Sequence, residues 1–258
     1  MDNYKFIKAH DTLNPILWDG FKLKPEVEMK LSEIAQFFTE NFLNNITIPF
    51  TILENTVVGS NVSYNYNETS DIDLHIVIDF IDYNDIEKID LAKELCDAYR
   101  TIFNLKYAPT IFGIKVELYV EFFGDTPNKS EAKYCLAKGW SRKPQKAEFV
   151  EINAKEVETK YKTIADELDD ILNDNLSFKE PKEQVEIIDR LIAKIYELRS
   201  DNFSKNDDYG SGNLAFKRLR ANGYIDFLKN LKTKIENCAL SLNEKWESAL
   251  FLKVHLYF

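Results

Sequence analysis

Val57-Val58-Gly59-Ser60, then ten residues, then Asp71-Ile72-Asp73-Leu74-His75-Ile76-Val77-Ile78-Asp79 is the stretch whose reading decides the fold. Two runs of strand-forming residues flank a glycine turn and a polar loop. Side chains along a strand alternate between faces. Ile72, Leu74, Ile76 and Ile78 therefore form a core row, and Asp71, Asp73, His75 and Asp79 form the opposite row. Two carboxylates side by side on one face repel each other and are costly to desolvate unless a cation lies between them.

A divalent cation is the simplest such partner. Closely spaced carboxylates on a stiff strand suit Mg²⁺, with Mn²⁺ as a substitute, because the ion prefers oxygen ligands and keeps positions for phosphate oxygens. Gly59-Ser60 supplies the complementary half. Glycine lets the backbone approach a ligand closely, a turn with free N–H groups holds phosphate, and the serine hydroxyl adds a donor. A phosphate cradle beside a metal-binding carboxylate pair is what nucleotidyl transfer requires.

Gly-Ser, ten residues, Asp-x-Asp resembles the signature of the DNA polymerase β-like nucleotidyltransferase superfamily in its minimal form, over roughly residues 25–123. A looser resemblance, to nucleotidyltransferase-like proteins of tailed phages, rests on Asn14-Pro15-Ile16-Leu17-Trp18-Asp19, on Val116-Glu117-Leu118-Tyr119, and on Gly212 to Arg220 with Gly223-Tyr224-Ile225-Asp226. The resemblance implies an ATP- or other NTP-binding enzyme of the EC 2.7.7 type, in which Asp71 and Asp73 are metal ligands. It also implies a third carboxylate on a later strand. Glu117 is preferred because apolar strand residues flank it; Glu121 is the fallback, and both also fit a solvated sheet face. The superfamily more often has Asp there. Cations from a helical C-terminal domain commonly hold the triphosphate in the superfamily, which makes Lys217 and Arg220, three apart on one helix face, nucleotide-binding candidates beside Gly59 and Ser60.

The bulk composition agrees with a folded protein: 258 residues, 45% hydrophobic and 29% charged, with 18 Phe and 13 Tyr for a core. The net charge of -10 repels long polyanions, so duplex DNA and anionic membranes are not expected partners, whereas a nucleoside triphosphate arrives with its own Mg²⁺. Cys96, Cys135 and Cys238 are far apart and lack ligand spacing, which fits free thiols in a reducing compartment. Neither a signal peptide nor a membrane-spanning run is visible, so the expected location is the cytoplasm, that of the host if the chain is phage-encoded.

The fold class expected is α+β: a mixed sheet of nucleotidyltransferase type with flanking helices, then a helical bundle. Residues 1–24 form an arm that docks its aromatics on the body, with His10 a capping or surface residue. Residues 25–128 form the sheet domain, 129–153 a connector and 154–258 the bundle. Pro25 opens a helix through about Phe42. A helix over 84–105 has Ile86, Ile89, Leu91, Leu95, Ala98, Ile102 and Phe103 as its inward side, and a third strand covers Ile114–Phe122. Within the connector, Lys133, Lys138, Arg142, Lys143 and Lys146 alternate with Tyr134 and Trp140, either as a phosphate- and base-binding patch or as a solvated link whose Trp140 packs on the body. The bundle consists of helices from about Ala154, through Val185–Leu198, through Leu214–Leu231 with a possible break at Gly223, and from about Leu242.

The acceptor of the transfer is an open choice among an RNA or tRNA end, a protein side chain and a small molecule. Two readings from other classes use the same residues: a catalytically silent nucleotide-binding module, and a protein-interaction module of antitoxin or regulatory type. No Gly-Lys-Ser/Thr follows Gly59-Ser60, which sets phosphate-loop kinases aside.

Overall fold

In the computed structural model, which describes residues 10–68, 70–81, 86–124, 132–146, 152–173, 176, 179–200 and 210–240, the chain divides into two units, Met1–Glu148 and Phe149–Phe258. The first begins with a small hairpin, β1 (Trp18–Asp19) and β2 (Lys22–Leu23). Helix α1 (Pro25–Asn41) starts at the proline, whose missing N–H is not needed in the first turn. It buries Val27, Leu31, Ile34, Ala35 and Phe38, the stripe its 3.6-residue period predicts.

Strands β3 (Phe50–Val58) and β4 (Ile72–Phe80) pair antiparallel, with a register shift between Ile52 and Glu54. Helix α2 (Ile86–Lys106) then crosses over and returns the chain through β5 (Thr110–Ile111) to β6 (Ile114–Phe122), which lies parallel to β4. Strands β7 (Lys133–Cys135) and β8 (Gly139–Arg142) complete a six-stranded mixed sheet in the order β5-β6-β4-β3-β7-β8. The stretch expected to be a connector thus supplies the last two strands of the sheet.

The sheet's core face carries Val57, Ile72, Leu74, Ile76, Ile78, Val116 and Leu118, packed with the buried rows of α1 and α2. Beyond the short β5 pairing, the amide of Asn104 on α2 closes the outer edge of β6. It donates to the Leu118 carbonyl at 2.8 Å and accepts from the Leu118 N–H at 3.0 Å. An unpaired edge strand is thereby satisfied by a side chain.

The structure corrects the inward side of α2. The residues buried there are Ile89, Ala92, Cys96 and Phe103. Ile86, Leu91, Leu95, Ala98 and Ile102 are exposed. The expected arm is seen from His10 onward: Leu13, Leu17 and Trp18 join the core, and Trp18 stacks on Trp140 with ring centroids 4.9 Å apart.

The second unit contains α3 (Ala154–Asn173), α4 (Pro181–Ser200), α5 (Ser211–Ala221) and α6 (Tyr224–Leu240). Its core includes Ile164, Leu168, Ile188, Leu191, Ile195, Phe216, Leu219, Leu228 and Leu231. Gly223, at φ +78°, separates α5 from α6, a conformation that β-carbons disfavour. The helix expected from about Leu242 lies outside the described residues. Among the described residues no helix is long and apolar enough to cross a membrane.

Candidate metal centre

The site is built where β3 ends and β4 and β6 begin. In the ladder Val58 is opposite Asp73, and Asp73 is opposite Glu117. This register places Asp73 between β3 and β6 and sets its side chain beside that of Glu117. Asp71 precedes β4 by one residue and belongs to the same row. Asp71, Asp73 and Glu117 are half-buried, and each offers an oxygen within 4.8 Å of the others. Of the two candidates for the third carboxylate, the structure brings Glu117 to the pair. Glu121 lies farther along β6, where its carboxylate is 3.2 Å from His75 Nδ1.

Gly59 adopts φ +81°, the left-handed region. A β-carbon built there would stand 1.9 Å from Asp73 Oδ2. The turn and the carboxylate therefore occupy space that only glycine leaves open, so the two halves of the sequence motif touch. Ser60 follows in a 3₁₀ turn, Ser60–Val62, whose Ser60 carbonyl accepts from the N–H and the hydroxyl of Ser63, both at 3.0 Å.

The donor set fits a hard divalent cation. It is all oxygen and comes from two neighbouring strands. The lack of a β-carbon at Gly59 keeps Asp73 close to the turn.

The row continues past the carboxylates. Tyr119 bonds to Glu117, and its phenol is pushed far above the ordinary tyrosine value, first by burial and then by the charges of Glu117 and Asp73. It is held as a neutral donor. The His75 ring lies 5.0 Å from the Tyr119 ring, and the Arg100 guanidinium lies over the same ring at 5.2 Å.

The remaining sequence candidates are placed as follows. Lys217 and Arg220 are on α5 in the second unit, half-buried and exposed respectively. Between them in sequence, Arg218 is bound to Glu158 and lies 3.9 Å over the Tyr161 ring. In the basic-aromatic stretch, Lys133 pairs with Glu54 and Lys146 with Asp11. Trp140 is held by its stack on Trp18 and by a 2.6 Å bond from Nε1 to the Phe21 carbonyl, the packing alternative. His10 stacks on Tyr66 at 3.9 Å. Burial, and then the Asp97 charge, push the Cys96 thiol up to about 12, so it is an inert core group.

Asn61 was not singled out by sequence reasoning, and neither were the site contacts of Asn14, Tyr119 and Arg100. Both asparagines are buried and bond to each other at 2.8 Å across 47 residues. Asn61 follows Gly59-Ser60 directly, and that adjacency was the one signal that could have marked it. No family model matches the chain, and neither a curated protein nor a solved structure matches it.

Proposed function

We propose that this protein is a divalent-metal-dependent nucleotidyltransferase of the DNA polymerase β-like type. Its mixed sheet would be the catalytic domain of that fold and its helical unit the C-terminal domain. The observation that supports the reading most directly is the convergence of Asp71, Asp73 and Glu117 within 4.8 Å, with Asp73 packed against the one turn residue that has no β-carbon. Mg²⁺ or Mn²⁺ bound to these carboxylates supplies Lewis-acid neutralisation of the triphosphate and of the charge that develops on transfer.

The protein's own groups account for the rest. Asp71 and Asp73 hold the cation, and Glu117 is its third ligand or takes the proton of the acceptor hydroxyl. The Gly59-Ser60 turn, with its N–H groups and serine hydroxyl, receives phosphate oxygens. Lys217 and Arg220, on the helical unit, are nucleotide-binding candidates on the resemblance alone. The acceptor oxygen attacks the α-phosphorus as its proton passes to Glu117 or to solvent, the bond to the bridging oxygen breaks, and pyrophosphate leaves. Tyr119, the next residue of the same row, donates to Glu117 and orients it, as partners of metal ligands do. The acceptor is an RNA or tRNA end, a protein side chain or a small molecule.

The test is incubation with Mg²⁺ or Mn²⁺ and each α-labelled nucleoside triphosphate, with RNA, with protein extract and alone. Asp71→Ala/Asp73→Ala serves as the control. Label transferred by the native protein and not by the variant supports the reading and names the acceptor class. Triphosphate bound with no label transferred and no pyrophosphate released would replace it with a silent nucleotide-binding module.

A further inference from the structure

Asp71 differs from the other two carboxylates in how its backbone is held. Asp73 and Glu117 sit inside the sheet and are opposite each other in the ladder. Asp71 lies one residue ahead of β4, whose pairing with β6 starts at Ile72 opposite Val116. The ladder therefore does not fix it.

The Asn61 carboxamide reaches across from the Gly59-Ser60 turn to this point. It is 1% exposed. Its Nδ2 donates to the Asp71 carbonyl at 2.8 Å and to the Ser70 carbonyl at 3.2 Å. Its Oδ1 accepts from Asn14 Nδ2 at 2.8 Å, and its main-chain carbonyl accepts from Trp18 Nε1 at 2.7 Å. Asn14 is itself fixed: its Oδ1 accepts the Ile16 N–H at 3.1 Å, and its carbonyl accepts from the N–H groups of Leu17 and Trp18. Trp18 is packed against Tyr134 on β7 and Trp140 on β8. The whole amide is satisfied in a buried setting, where hydrogen bonds are stiff and an unmade one is costly.

We propose that Asn61 is a positioning residue for the metal centre. Its amide fixes the Asp71 backbone against the Gly59-Ser60 turn, and Asn14 and Trp18 fix Asn61. The inference rests on the metal-site reading above. It assigns a function to the Asn14–Asp19 stretch: its asparagine and tryptophan set the separation between the phosphate turn and the first carboxylate.

The experiment is Mn²⁺ titration of the full chain by calorimetry, with a thermal melt of every variant. Asn61→Ala is expected to weaken Mn²⁺ binding about 10-fold or more, the range seen when partners of metal ligands are removed. Asn14→Ala leaves both Asn61 donor bonds in place and is expected to weaken binding measurably but less than Asn61→Ala does. Leu31→Ala on α1 is the control for lost stability: it lowers the melting temperature and leaves Mn²⁺ affinity unchanged. Asn61→Ala folded with native affinity overturns the positioning role, as does Leu31→Ala weakening binding as much as Asn61→Ala. If Asn61→Ala fails to fold, Asn14→Ala decides on the same criterion. Failure of the metal reading looks different: the native protein then binds no Mn²⁺, or Asp73→Ala binds as tightly as the native protein.

Discussion

Gly59 illustrates how one missing methyl group positions a site. Its φ of +81° is strained for any L-residue with a β-carbon, and the space a β-carbon would need is taken by Asp73 Oδ2. Gly59→Ala must therefore move the turn, the carboxylate or both. A stability loss of about 1–3 kcal/mol is expected from the backbone strain alone, measured by urea denaturation, together with weaker Mn²⁺ binding. Native stability and native affinity in this variant would show that the close approach is not required. Asn61 belongs to the same scale but could not be read in the same way. The Gly-Ser and Asp-x-Asp residues are local and have a fixed spacing, whereas the Asn14–Asn61 bond joins side chains distant in sequence that only the finished fold brings together. The sequence shows that an asparagine follows the turn. It does not show what that asparagine meets.

The secondary-structure elements divide along similar lines. Strand β4 was legible because Ile72, Leu74, Ile76 and Ile78 alternate with polar residues and every one of them is buried. The inward side of helix α2 was legible only at Ile89 and Phe103, because the helix carries two apolar rows. Leu91, Leu95, Ala98 and Ile102 repeat at helical spacing as clearly as Ile89, Ala92, Cys96 and Phe103, and periodicity alone does not say which row meets the sheet. Strands β7 and β8 are short and basic, so their sequence resembles a solvated link. Asn104 has no sequence signal at all, yet it satisfies both main-chain groups of Leu118. Asn104→Ala is expected to destabilise by about 1–3 kcal/mol, the cost of leaving such groups unmade, and urea denaturation at constant m-value checks this. In the helical unit, Arg218 holds the Glu158 carboxyl below its ordinary value on the α3–α5 contact. A carboxyl depressed in the folded state stabilises above its unfolded value and loses that contribution as pH falls through the folded value. Glu158 is one-third exposed, so the contribution is discounted to under about 1 kcal/mol. Glu158→Gln should be slightly less stable than native at neutral pH, with the gap closing as the pH is taken below 4.5. A gap that persists unchanged at low pH would mean that the Glu158 charge does not stabilise the fold.

For the molecule as a whole, net charge and site chemistry act in opposition. The chain carries a net -10 and gathers three of its carboxylates within 4.8 Å. Crowded like charges destabilise a folded state that binds no cation. On the proposed metal-binding role, stability is given up for binding, and the sign of the effect should reverse with metal. Without divalent ions, Asp71→Asn is expected to melt at a higher temperature than the native protein, because one of three adjacent charges is removed while side-chain size is retained. With Mn²⁺ at about 100 times its Kd, the native protein gains about 2.7 kcal/mol by mass action, and Asp71→Asn, whose affinity is lower, gains less. The order of melting temperatures then inverts. Scanning both proteins in chelator and in excess Mn²⁺ is a complete test. Parallel shifts, or a native protein that does not respond to Mn²⁺, would mean that the three carboxylates are a solvated sheet face with no ion to hold. Inversion would show that Asp71, Asp73 and Glu117 hold a cation, and that the folded chain tolerates their crowding in order to bind it.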